Sequence, residues 1–157
     1  MKKIWLFIAT LGLVTTAVNI SNYASANAGD SLSPHVDSKF EFPSSKWATS
    51  RQTIQVHVPR SSQALTLLWL EVPENLEFST TKIEITDGDR TISAPISRQG
   101  QWLLINFTQP IAPDTKLRIE FNGVKRNMLT QLSVYYVYGK TVDGSTNYVG
   151  EAYFQTR

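Results

Sequence analysis

From Arg51 to the C-terminus, apolar and polar residues alternate with a period of two in short runs separated by turn residues, and no stretch sustains a helical period. Successive side chains of a strand point to opposite faces, so each run predicts a strand with one apolar and one polar side. The cleanest is Lys116 to Asn122, where Leu117, Ile119 and Phe121 alternate with Arg118 and Glu120. Thr53 to Val58 sets Ile54, Val56 and Val58 against Gln55 and His57 and stops at Pro59, and Trp102 to Thr108 puts Leu103, Ile105 and Phe107 on one face. Lys82 to Thr86 turns Ile83 and Ile85 inward, and Asp87-Gly88 carries the chemistry of a type I′ turn, predicting a hairpin into Arg90 to Ala94. Leu65 to Val72 has Leu65, Leu67 and Trp69 on one face and Leu68, Leu70 and Val72 on the other, which predicts a central strand covered on both sides. Leu129 to Tyr138 and Tyr148 to Gln155 predict a closing antiparallel hairpin around Gly139 and Asp143-Gly144. About seven such strands without helical crossovers predict an all-β fold, an antiparallel two-sheet sandwich of immunoglobulin-like form, with a small open barrel as the alternative.

The N-terminus reads differently. Lys2 and Lys3 precede an uncharged apolar run from Ile4 to Val18, polar residues return at Asn19 to Tyr23, and small-x-small cleavage sites follow at Ala24-Ser25-Ala26 and Ala26-Asn27-Ala28. This is the plan of a cleavable signal peptide over residues 1–26, with cleavage near Ala26 or Ala28 and a periplasmic or secreted destination. The apolar run falls short of the roughly 20 residues that cross a bilayer, and the longest later one, Leu65 to Val72, contains Thr66 and Glu71, so the mature chain carries no expected membrane span. Residues 27–50 read as a lead-in arm with Phe40, Phe42 and Trp47 as its large apolar anchors, and residues 51–157 as the β domain.

Composition matters here in two places. There is no cysteine, which excludes disulfides, thiolate metal sites, a cysteine nucleophile and a lipidated cysteine. About 130 residues bury roughly two-thirds of their unfolded surface, enough to fold without such staples. Losing Lys2 and Lys3 takes the 15 basic residues to 13, equal to the 13 acidic ones, so the mature chain is formally neutral and nucleic acid is not an expected partner.

Catalytic motifs are scarce. His35, two residues before Asp37, lies in the arm and His57 on the polar face of its strand; both read as solvated, and no metal ligands or cofactor are assigned. There is no Gly-x-Ser-x-Gly elbow. Asp87-Gly88-Asp89 is explained by a hairpin turn rather than calcium, and the Asn106-Phe107-Thr108 sequon falls inside a strand. Glu71, Glu74 and Glu77 supply the one pairing of carboxylates that suits a hydrolase of envelope polymers, but acids around a Pro-containing turn are ordinarily a solvated loop. The expectation is a non-enzymatic module that binds a protein or a glycan of the cell envelope, with the hydrolase as the alternative.

Aromatic residues gather on the last two strands: Tyr135, Tyr136, Tyr138, Tyr148, Tyr153 and Phe154. Alternation puts Tyr136 and Tyr138 on one face of their strand and Tyr135 and Val137 on the other. Tyr136, Tyr138, Tyr148 and Tyr153 are therefore the candidate ligand-binding aromatics, since exposed rings offer large contact area with a polar handle. Core packing of the Tyr136 and Tyr138 face is the plainer expectation.

Four segments carry a family resemblance: Leu70-Glu71-Val72-Pro73-Glu74-Asn75, Pro110-Ile111-Ala112-Pro113-Asp114-Thr115, Tyr135-Tyr136-Val137-Tyr138-Gly139 and Tyr148-Val149-Gly150-Glu151-Ala152-Tyr153-Phe154. With them the chain resembles the family called domain of unknown function 2808, exported proteins found mainly in cyanobacteria. It departs at Lys125-Arg126-Asn127-Met128-Leu129, where many members of the family carry an Asn-Pro with nearby glycines. The resemblance implies an extracytoplasmic β domain and assigns no functional residue.

Overall fold

The computed structural model describes residues 32–37, 50–126 and 132–155. The signal peptide expected over residues 1–26, both cleavage sites and most of the arm over 27–50, including Phe40, Phe42 and Trp47, lie outside the described residues.

Eleven strands are described: β1 (His35–Val36), β2 (Ser50–Val58), β3 (Leu65–Glu71), β4 (Leu76–Glu77), β5 (Ile83–Asp87), β6 (Arg90–Thr91), β7 (Ile96–Gln99), β8 (Trp102–Ile111), β9 (Thr115–Arg126), β10 (Leu132–Thr141) and β11 (Thr146–Gln155). They build a six-stranded sheet, β1-β2-β9-β5-β6 with β4 also on β9, and a five-stranded sheet, β11-β10-β3-β8-β7. All pairings are antiparallel. The molecule is thus the two-sheet sandwich that the alternation implies. Among the described residues no helix is long and apolar enough to cross a membrane.

The core lies between the inner faces. Ile54, Val56 and Val58 of β2, Leu117, Ile119 and Phe121 of β9, and Ile83 and Ile85 of β5 face Leu68 and Leu70 of β3, Leu103 and Ile105 of β8, Tyr135 and Val137 of β10, and Ala152 and Phe154 of β11. Phe121 is fully buried with its ring 5.2 Å from Phe78 and 5.3 Å from Tyr135. The buried Tyr135 hydroxyl donates to Gln52 Oε1 at 2.6 Å, so the one polar group on that ring finds its partner on the opposite sheet.

Four local expectations need correction. The β5–β6 hairpin turns on Gly88-Asp89, with positive φ (58°) at Gly88 alone, so the turn is II′-like and shifted by one residue from the expected Asp87-Gly88. Beyond Thr91 the predicted strand to Ala94 does not continue. Pro95 has no N–H for a ladder, and its carbonyl accepts from Asn106 N of the other sheet, to which the chain crosses as β7. Gly139 lies inside β10 rather than in the hairpin loop, at an inward position closely approached by Leu65 and Val149. Finally, β3 is covered on one side only: Leu68 and Leu70 are buried, while Leu67 and Trp69 are half-buried on the outward face.

The short β1 closes one seam of the sandwich. Val36 pairs with Val56, and Asp37 N donates to Gln55 O at 2.8 Å, which fixes β1 on the edge of the six-stranded sheet. The same valine lies against Gly150 of β11, where a Cβ would sit 3.1 Å from Val36 Cβ. Gly150 also has a φ of 144°, which L residues rarely adopt, so glycine there serves both the backbone turn and the close approach.

Candidate functional site

The four candidate tyrosines lie on one surface, the outward face of the five-stranded sheet. Tyr136 and Tyr138 alternate with the buried Tyr135 and Val137 along β10. On β11 a register shift opposite Val137/Tyr138 resets the alternation, so that Tyr148, Glu151 and Tyr153 all face outward while Val149, Ala152 and Phe154 face the core. The expectation that the Tyr136 and Tyr138 face forms the core is therefore overturned. Tyr135 and Val137 already fill the space between the sheets, and a strand offers the core only one face.

The surface extends beyond those four residues. Across β10 and β3 the Tyr138 ring lies nearly parallel to Trp69, with centroids 5.8 Å apart and an interplanar angle of 9°. Trp102 meets Tyr138 at 6.0 Å and Tyr148 meets it at 5.4 Å, both edge to face. Tyr138 is thus the centre of an aromatic cluster spanning four adjacent strands, β11, β10, β3 and β8. Its neighbours leave it half-buried, whereas Tyr136 (39% exposed), Trp102 (40%) and Tyr148 (51%) remain open around it. Trp69 and Trp102 escape a reading that follows the aromatic-rich C-terminal strands alone. The signal was Leu67 and Trp69 on the second face of β3, read as buried when it is the outer one.

Polar groups organise the β11 side. The Tyr148 hydroxyl donates to Glu151 Oε1 at 2.7 Å and the Tyr153 hydroxyl donates to Glu151 Oε2. Burial, and after it the Glu151 carboxylate that accepts its proton, pushes the Tyr148 hydroxyl well above the usual tyrosine range. Tyr148 is consequently a neutral donor at ordinary pH, tied to the same acid as Tyr153, and what it presents outward is ring surface.

The acids of the hydrolase reading separate. Glu71 and Glu74 line a shallow depression of about 200 Å³ with Val72, Pro73, Gln101 and Tyr136, but Glu74 Oε1 accepts a hydrogen bond from Gln101. Glu77 stands exposed on β4, in the other sheet. The two histidines, by contrast, come together: His35 and His57 are direct cross-strand partners on β1 and β2, with ring centroids 4.9 Å apart.

No family model matches the chain. No curated protein matches it either. Solved structures do. The bacterial hydrophobin BslA superimposes with a TM-score of 0.51 at 12% identity, covering 80% of this chain and 95% of that one. The pilus backbone protein RrgB from Streptococcus pneumoniae gives 0.51 at 12% identity, covering 68% and 52%. The full-length major pilin SpaD from Corynebacterium diphtheriae gives 0.48 at 16% identity over 78% of this chain, which spans only 33% of that pilin. Similarity at this level bears on the fold alone, and the two matches at 0.51 agree with the β-sandwich described above.

Proposed function

We propose that the chain is an exported, non-enzymatic β module that docks a protein of the cell envelope through the outward face of its five-stranded sheet. The observation that carries this reading is the aromatic cluster itself: Tyr136, Tyr148 and Trp102 remain open on a face whose strands already supply a complete core from their other side. Exposed Trp and Tyr of this kind are the residues that dominate protein interfaces, because they bring large area with little conformational freedom to lose. A protein is favoured over a glycan because the central rings already spend their faces and edges on one another, leaving a mixed surface of ring and carboxylate rather than one isolated open platform. The hydrolase alternative is weaker, since one of its two neighbouring acids is held by Gln101.

Export is the companion proposal, resting on Lys2, Lys3, the Ile4 to Val18 run and the two small-x-small sites. Membership of the domain of unknown function 2808 family is likewise proposed, on the four segments that resemble it.

The test is retention of envelope proteins and of envelope glycans, in separate arms, on the immobilised exported chain. The double variant Tyr136→Ala/Tyr148→Ala should melt within about 1 kcal/mol of the parent, as substitutions outside the core do, and should lose the retained protein. A folded double variant that retains the same protein would remove this face from the reading; retention of glycan alone would replace the protein partner with a sugar.

A further inference from the structure

The geometry points to a divalent transition-metal site, of the zinc class, formed by His35, Asp37 and His57. One ligand atom from each of these residues lies within 4.8 Å of those of the other two. His35 Nε2 and Asp37 Oδ1 are 3.1 Å apart. Ligands bound at about 2.1 Å around one tetrahedral ion are about 3.4 Å from one another, so two of the three atoms already stand at ligand spacing and the third comes within reach by side-chain rotation.

The backbone places them deliberately. The register sets His35 opposite His57, and Asp37 follows two residues later, on the same side of the extended chain. Its own N–H is bonded to Gln55 O, which anchors that position. His35 Nδ1 faces the Ser33 carbonyl at 3.4 Å, the arrangement by which metal-binding histidines direct the other ring nitrogen to the ion. All three residues are half-buried, so a fourth position stays open to water. Two imidazoles and one carboxylate form a borderline donor set, suited to Zn²⁺, Ni²⁺ or Cu²⁺ rather than to Ca²⁺ or Mg²⁺.

Such an ion would do structural work. β1 is only two residues long, yet it bridges β2 of one sheet and, through Val36, β11 of the other. Tying His35 and Asp37 to His57 fixes the short strand over that seam. One feature opposes binding: Lys116 pairs with His57 on the same outward face and repels a cation there.

The experiment titrates Co²⁺ and then Zn²⁺ into the untagged, chelator-treated full chain as the host exports it. We expect one Co²⁺ per chain with the visible absorption of a tetrahedral site, displaced by Zn²⁺. His57→Gln, His57→Ala and Asp37→Asn should each weaken Zn²⁺ at least about tenfold, in line with the cost of losing even a supporting partner of a metal ligand. Lys116→Ala should strengthen it a few-fold, which a merely structural cluster would not do. Thermal melts of each variant without metal establish that it is folded. Absence of Co²⁺ absorption in the parent, or equal Zn²⁺ affinity in the parent and a folded His57→Gln variant, would overturn the site.

Discussion

The sandwich has two outward faces, and they are chemically unlike. The six-stranded sheet shows water Arg51, Gln55, Lys116 and Arg118, with Glu120 lying 3.7 Å from both Arg51 and Arg118. The five-stranded sheet shows Tyr136, Tyr148 and Trp102 around the half-buried Tyr138. Both faces belong to antiparallel sheets with full inner faces, so folding alone asks the same of each: solubility and β propensity. Charged residues of mixed sign meet that demand on the first face. The aromatic face exceeds it, and that excess is the reason the proposed docking is assigned to this face. The lesson is that the face away from the core, where folding constrains least, is where residues that folding does not require stand out.

The largest effect belongs to neither outward face and calibrates both. Phe121→Ala removes a fully buried ring that packs on Phe78 and Tyr135 from two directions, and should cost about 3 to 5 kcal/mol in denaturant melts. A loss near 1 kcal/mol would mean that the inner face is looser than its burial implies, and the contrast between inside and outside would lose its scale.

Tyr138→Ala comes next. The ring touches Trp69, Trp102 and Tyr148, and aromatic pairs contribute about 0.5 to 1.5 kcal/mol beyond the area they bury, but unlike Phe121 the residue is only partly buried. A cost of about 1 to 2 kcal/mol is expected, clearly below that of Phe121. A cost equal to that of Phe121→Ala would make the outer cluster a second core, kept for stability rather than docking.

On the charged face Glu120→Ala should fall within about 0.5 kcal/mol, because its two arginine partners are long, exposed contacts that water screens. If it costs as much as Tyr138→Ala, the charged face is a structural network and the two faces are less different than they look.

The alternation in Lys116 to Asn122 and in Thr53 to Val58 was enough to place Leu117, Ile119, Phe121, Ile54, Val56 and Val58 in the core, because a period of two has only two phases and only one is apolar. The same logic fails on β10 and β3, where both phases are apolar or aromatic. Tyr135 and Val137 compete with Tyr136 and Tyr138, and Leu68 and Leu70 with Leu67 and Trp69, so the choice is made by what sits across the core rather than by the strand itself. Tyr135 wins its place because Gln52 of β2 meets its hydroxyl and Phe121 meets its ring. The His35–His57 pairing was illegible for another reason: the two residues are brought together by strand register between distant segments, which neither local sequence encodes.

The smallest effect is a pH dependence confined to the aromatic face. The folded chain holds the Tyr148 proton more tightly than the unfolded chain, chiefly through burial and then through Glu151, which accepts it in a hydrogen bond. An unfolded tyrosine ionises near pH 10, so above that value the unfolded state gives up a proton that the folded state keeps. Stability that this group contributes is present in full below about pH 10 and declines as the pH rises further, because the folded state there binds more protons than the unfolded one. Tyr148→Phe deletes the titration and should flatten the alkaline limb between about pH 10 and 11 relative to the parent. The readout is the difference in denaturant midpoint between pH 8 and pH 11 for the two proteins. Identical alkaline losses in both would mean that Tyr148 is freely hydrated, and the Tyr148–Glu151 pairing that turns ring surface outward at that edge of the cluster would have to be given up.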